Sequence, residues 1–152
     1  MRDQRFVAEH RGGPLAKAQH YQLIEWACDC SRHVLHLYGP KPDSRLTQSL
    51  RIAKLWKQGK ASVGQARKAS TEAIAVAREA ADESARAVAR SVGHAVATAH
   101  MADHALGAAW YGLKAVKAAG RSIEEERDWQ DGQLPDSIKK LVLTARAARK
   151  LS

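Results

Sequence analysis

The sequence contains few of the residues from which sheets and disulfide frameworks are built. Only two of its 152 residues are cysteine, and aromatic residues make up 5% of the chain. Two cysteines are too few for a disulfide framework, which favours a reducing, cytoplasmic setting. Alanine, by contrast, occurs 29 times. Because alanine is the best helix former and β-forming residues are scarce, the composition predicts an all-α fold.

Long hydrophobic runs are nearly missing. No apolar run of signal-peptide length follows the polar start of the chain, so we expect no secretion signal. The segment 91–113 carries one formal charge, Asp103, and is long enough to cross a bilayer. It contains three histidines, and it has far more alanine and glycine than leucine and isoleucine. These features argue against a membrane span, and we expect no membrane contact.

Blocks of like charge are missing as well, although the chain is basic. It carries 25 lysines and arginines against 16 aspartates and glutamates, which gives a formal net charge of +9. This balance favours acidic partners, or weak and non-specific binding of nucleic acid. No zinc finger, base-stacking motif or helix-turn-helix signature accompanies the charge. The simplest interpretation is a solvated basic surface.

Proline and glycine divide the chain into helical segments. Residues 1–13 are mostly polar and end in two glycines, which predicts an irregular N-terminal arm followed by a single all-α domain over residues 14–152. We expect about six helices with short connections. Near Asp82 the apolar pattern weakens, and both a break and a continuous helix fit the sequence there. The expected boundaries are Pro14, residues 39–42, Gly59, Gly120 and Gly132.

The stretch from Gly93 to Lys117 is the expected centre of the bundle. Its residues are small and apolar on nearly every side of a helix, which is typical of a buried helix. We therefore predict one central helix, rich in alanine and glycine, against which the other helices pack.

A histidine motif lies within this stretch. On a helix, His100 and His104 are one turn apart and Asp103 lies beside them, which is the spacing of metal ligands. His94 is predicted to lie on a different face. Close packing of alanines leaves little room for a metal ion and its water, so we expect Asp103 to be buried and to pair with a histidine or with a basic residue of another helix. We expect no metal, no cofactor and no catalytic residue.

The first helix carries the other cluster of chemically active residues. Cys28 and Cys30 are two positions apart, so they project from different sides of a helix and do not form a disulfide or share a metal. Cys30 and His33 can face together, and they are the ligands that a metal site on the central helix would recruit. The simpler interpretation is that Cys30 is a buried core residue. Trp26 is expected in the core, where an exposed tryptophan would instead mark a partner contact.

Several segments of the sequence together resemble a known family. They are Arg11-Gly12-Gly13-Pro14-Leu15, Trp26-Ala27-Cys28-Asp29-Cys30, His33-Val34-Leu35, the run from Gly93 to Ala109 with Tyr111, Trp129-Gln130 and Leu134-Pro135. In this order, from about Arg11 to Thr144, the chain resembles the immunity-five-like family of immunity proteins from bacterial polymorphic toxin systems. The resemblance implies an all-α cytosolic protein that binds and neutralises a cognate toxin by protein–protein contact. It implies no catalytic residues.

Three functions of different classes are thus open. For toxin neutralisation, the charge of +9 fits an acidic toxin, or a contact away from a nucleic-acid cleft. The alternatives are a basic helical protein associated with nucleic acid and a metal-dependent enzyme. The oligomeric state is left open. The residues expected to bind a partner are Arg11, Trp26, His33, His94, His100, Asp103 and His104. If the chain is instead a metal-dependent enzyme, the expected metal ligands are His100, His104, Asp103, Cys30 and His33.

Overall fold

Helices make up most of the structure. The computed structural model describes residues 2–150, and this range contains seven α-helices and no β-strand, only one isolated bridge between Ala8 and Leu15. The prediction of a single all-α domain is confirmed, with one helix more than the expected six or so. The α-helices are α1 (Lys17–Val34), α2 (Ser44–Lys57), α3 (Val63–Glu79), α4 (Glu83–Ala97), α5 (His104–Ala118), α6 (Ile123–Gly132) and α7 (Asp136–Arg149), and three short 3₁₀ helices span Gln4–Phe6, Glu9–Arg11 and Leu35–Tyr38.

Side-chain caps fix the starts of four helices. Asp43, Ser62, Asp82 and Ser122 each accept a hydrogen bond from a backbone N–H in the first turn of α2, α3, α4 and α6. Each cap satisfies an N–H group that the helix itself leaves unpaired. The cap at Asp82 shows that the chain breaks between α3 and α4 and does not continue as one helix.

The prediction of one central Ala/Gly-rich helix is wrong, because the segment folds back on itself as two helices. α4 ends at Ala97, and α5 begins at His104 after a turn of residues 98–103. The hydroxyl of Thr98 donates to the carbonyl of His94 at 3.0 Å, and the next backbone hydrogen bonds reach back three residues, which tightens and ends the helix. Within residues 2–150, no helix combines the length and the apolar character that crossing a membrane requires.

The hairpin of α4 and α5 forms the centre of the bundle. Ten of the fifteen residues of α4 are buried, and eight of the fifteen residues of α5. α4 packs against α1, α2 and α3, while α5 packs against α1 and α6. Because the facing residues are small, the two backbones approach closely, and the hydroxyl of Ser91 donates to the carbonyl of Ala108 at 2.8 Å. Close packing of two central helices therefore accounts for the alanine-rich sequence.

A glycine loop connects the N-terminal segment to α1. Phe6 is buried in the core, and the N–H of Leu15 donates to the carbonyl of Val7 at 3.0 Å. Gly12 has a left-handed φ of 83°, and a Cβ at Gly13 would lie only 2.1 Å from the carbonyl oxygen of Val7. The backbone conformation of Gly12 is one that other residues rarely adopt, and Gly13 has no room for a side chain, so both glycines of this motif have a structural role.

Candidate functional site

The residues predicted to bind a partner or a metal do not form one site. Asp103 lies with three of the histidines at the turn between α4 and α5, whereas the other residues are distributed over the core and two surfaces. Their positions are the α4–α5 turn (His94, His100, Asp103, His104), the contact of α1 with α6 (His33), the core (Trp26, Cys30) and the exposed end of the second 3₁₀ helix (Arg11).

The turn brings together three histidines, and we call His94, His100 and His104 the histidine cluster. The Nδ1 atoms of His94 and His104 are 3.1 Å apart, so one ring donates a hydrogen bond to the other. The ring centroids of His100 and His104 are 5.4 Å apart. The carboxylate of Asp103 lies 3.6 Å from the guanidinium of Arg149 on α7, so it pairs with a basic residue of another helix as expected, but its side chain is 17% exposed and the prediction of a buried carboxylate is wrong. The chain reversal thus places His94 against His104, which a single helix would have separated.

Burial makes the histidine cluster weakly basic. Burial, and after it the charge of a protonated His104, lower the pKa of His94 to about 4. Burial also lowers the pKa of His100 and the pKa of His104. All three rings are therefore neutral at neutral pH, which is the form that can ligate a metal. In the part of the chain that the structure describes, however, no three His, Cys, Asp or Glu side chains are placed to hold a metal ion.

The histidine cluster adjoins a groove between α4 and α5 that sequence reasoning missed. The ring of Tyr111 stacks on His94 with centroids 5.2 Å apart and lines a groove of about 470 Å³. The sequence does contain a signal for this groove. Two of its basic residues are four positions apart on α4 and two are three positions apart on α5, so each pair lies on one face of its helix. We call this the basic groove, lined by Glu83, Arg86, Ala87, Arg90, Tyr111, Lys114, Lys117 and Ala118.

A second cleft, of about 350 Å³, lies beside the contact of α1 with α6. His33 donates from Nδ1 to the carboxylate of Glu126 at 2.7 Å, and its ring stacks on Trp129 with centroids 3.5 Å apart. The hydroxyl of Ser122, which lines the same cleft, is engaged as the cap of α6. A histidine–carboxylate pair can orient a general base, but here the pair joins two helices, and the Ser122 hydroxyl in the same cleft has a structural role.

Trp26 is a core residue that anchors a buried polar network. It is 1% exposed, and its Nε1 donates to the backbone carbonyl of Gln130 at 2.8 Å. The side chain of Gln130 accepts from the guanidinium of Arg146 at 2.8 Å and donates to the carbonyl of Ala109 at 3.0 Å. The network joins α1, α5, α6 and α7, so its role is in stability.

The two cysteines are buried thiols. Burial raises the pKa of Cys28 to about 12 and raises the pKa of Cys30 well above its ordinary value. The thiolate is the form that acts as a nucleophile or a metal ligand, and burial suppresses it at both positions. The neutral thiol is thus the favoured form of Cys30, and the ring of His33 bonds to Glu126.

The fold and its surfaces define a small all-α protein in which His94 bonds to His104, His33 bonds to Glu126, and four basic side chains line a surface groove. The family model described as Imm-5 like putative immunity protein matches residues 13–137. The chain belongs to this family, which confirms the resemblance seen in the sequence, and the family implies a protein partner, a toxin, in general. No curated protein and no solved structure matches the chain.

Proposed function

We propose that this chain is a cytoplasmic immunity protein that binds a cognate bacterial toxin and neutralises it by protein–protein contact. The observation that carries the proposal is the family match over residues 13–137, which includes α1 to α6 in full. Neutralisation of this kind requires a rigid surface that complements the toxin in shape and charge, and it requires no catalytic group.

The side-chain geometry supports a binding role. The rings of His94 and His104 bond to each other, and the ring of His33 bonds to Glu126. These three rings are thus engaged within the fold. Lysine and arginine outnumber aspartate and glutamate by 25 to 16, and the resulting net charge of +9 favours an acidic surface on the toxin.

A second candidate is an association with nucleic acid, and the basic groove is the observation that favours it. Binding to nucleic acid rests on contacts with phosphates, and it weakens steeply as the salt concentration rises. Retention of the chain on duplex DNA at physiological salt would favour this function, whereas retention only at low salt is the expected behaviour of any basic protein.

The proposal predicts that a neighbouring gene encodes a toxin domain, and the protein from that gene is used for the test. We expect co-expression of the chain to restore growth of a sensitive host that produces the toxin. We also expect calorimetry with a catalytically inactive toxin variant to give a 1:1 complex with Kd below about 1 µM. A toxin of an unrelated family serves as the control. Neither rescue nor a complex, with a chain that is folded by circular dichroism, would contradict the proposal.

A further inference from the structure

The basic groove concentrates positive charge that has no carboxylate partner within residues 2–150. Arg86 and Arg90 of α4 line it together with Lys114 and Lys117 of α5, and Glu83 is the one carboxylate among its lining residues. Among residues 2–150, none of these four basic side chains has a carboxylate oxygen within 4.0 Å of its nitrogen atoms. Four cations thus face a single carboxylate.

Most lysines and arginines of the chain lack a carboxylate within 4.0 Å. Among residues 2–150 the exceptions are Arg5, Arg32, Arg45, Lys57, Arg146 and Arg149. What distinguishes the basic groove is that four cations without such a partner line one concave surface together with a single carboxylate. Repulsion among the cations is relieved when an anionic group enters the groove, so the field there attracts and orients such a group.

Two of the cations are held in place by aromatic rings. The guanidinium of Arg90 lies 5.8 Å from the ring centroid of Tyr111, and the ammonium of Lys114 lies 4.2 Å from that of Trp110. The helices beneath them are the buried centre of the fold. Cations that are already positioned lose less conformational freedom when they bind, which favours a specific interaction.

We propose that the basic groove binds an acidic segment of the protein partner, with aspartate or glutamate carboxylates pairing with the four cations. The proposal rests on the proposed function for the identity of that partner as a toxin. A protein segment fits the groove better than nucleic acid does. Single strands bind by stacking bases on aromatic rings, but Tyr111 is already stacked on His94 and Trp110 already lies under Lys114. Duplex DNA is recognised by elements that project into its grooves, whereas this surface is recessed.

The first test uses the full chain and a fluorescein-labelled peptide of alternating glutamate and glycine. We expect saturable binding at physiological salt, with chemical-shift changes in NMR spectra confined to amides around residues 86–90 and 111–117. Reversal of two groove charges, Lys114→Glu with Lys117→Glu, is expected to weaken binding at least about tenfold. The matched control is Lys139→Glu with Lys140→Glu on α7, which makes the same change in net charge at exposed positions outside the groove.

The outcomes separate the groove from general electrostatics. Equal weakening in both double variants, or shift changes outside the groove, would overturn the proposal. So would displacement of the peptide from the groove by a single-stranded oligonucleotide that binds more tightly. Even if a double variant fails to fold, the amide chemical-shift changes of the unmodified chain show whether the peptide occupies the groove.

The same variants distinguish the groove proposal from the proposed function. If the unmodified chain neutralises the toxin and the Lys114→Glu, Lys117→Glu variant neutralises it equally well, the groove proposal fails and the proposed function stands. If the chain does not bind the toxin but the acidic peptide occupies the groove, the proposed function fails and the groove remains a site for acidic protein segments.

Discussion

Acidification is expected to destabilise this protein through the histidine cluster. His94 is half-buried, and its Nδ1 lies 3.1 Å from that of His104. A Cβ at Gly107 would lie 2.5 Å from the same nitrogen, so the ring has little room to move away. Protonation of both rings would place two positive charges in contact. Burial, followed by this repulsion, lowers the pKa of His94 from 6.5 to about 4.

The sign and the size of the effect follow from that pKa. In the unfolded chain His94 has its ordinary pKa of 6.5, so below this pH the unfolded state binds a proton that the folded state does not. The contribution of His94 to the free energy of unfolding is complete above pH 6.5 and is lost as the pH falls from 6.5 towards 4. At about 1.4 kcal/mol per pH unit, the loss near pH 5 is about 2 kcal/mol. His100 and His104 add to it, because their pKa values are also lowered.

The measurement is urea unfolding at pH 7.5 and pH 5, followed by tryptophan fluorescence. His94→Gln removes the titrating ring and keeps a hydrogen-bonding group beside His104, so we expect the difference between the two pH values to shrink by about 2 kcal/mol. The control is His10→Gln, which changes an exposed histidine and is expected to leave the difference unaltered. An equal fall in stability in the unmodified chain and in the His94→Gln variant would refute the reasoning.

Two further predictions concern stability. Gly13→Ala places a methyl group 2.1 Å from the carbonyl oxygen of Val7, and we expect it to lower the free energy of unfolding by about 2–3 kcal/mol; an unchanged thermal midpoint would show that the loop accepts a side chain. Gln130→Ala removes the side-chain acceptor that lies 2.8 Å from the buried guanidinium of Arg146, with an expected loss of about 2–4 kcal/mol in urea unfolding, whereas Gln48→Ala at an exposed position is expected to change little.

Local signals in the sequence were enough to predict most helix boundaries. Ser62 and Ser122 precede helical patterns and accept hydrogen bonds from the first turns of α3 and α6, and Pro135 stands directly before α7. A cap acts through bonds within a single turn, so its cause lies entirely in neighbouring residues. Near Asp82 the same reasoning gave a helix break as one of two alternatives, and in the structure Asp82 is the N-cap of α4.

The turn between α4 and α5 could not be predicted because its cause is tertiary. No glycine or proline occurs in residues 98–103, and the alanine-rich segment has high helix propensity. Two short helices are favoured because each can bury its small-residue face against the other and against α1. The contact of His94 with His104 and the approach of Arg90 to Tyr111 exist only because of this turn. The prediction of one continuous helix therefore placed His94 away from His104 and missed the basic groove.

The segments that carry the family resemblance have structural roles in this fold. Gly13 leaves no room for a side chain, Gly107 makes space for the ring of His94, and Gln130 organises the network under Trp26. The four cations of the basic groove lie outside those segments, on the solvent side of α4 and α5, so their charges can be exchanged without disturbing the core packing. A chain can thus keep this fold and change its partner through exposed charge alone, because specificity is set at the site and not by the fold. Under the proposed function, this separation allows one fold to be matched to one particular toxin, and the charge-reversed groove variants are expected to fold like the unmodified chain while losing the acidic partner.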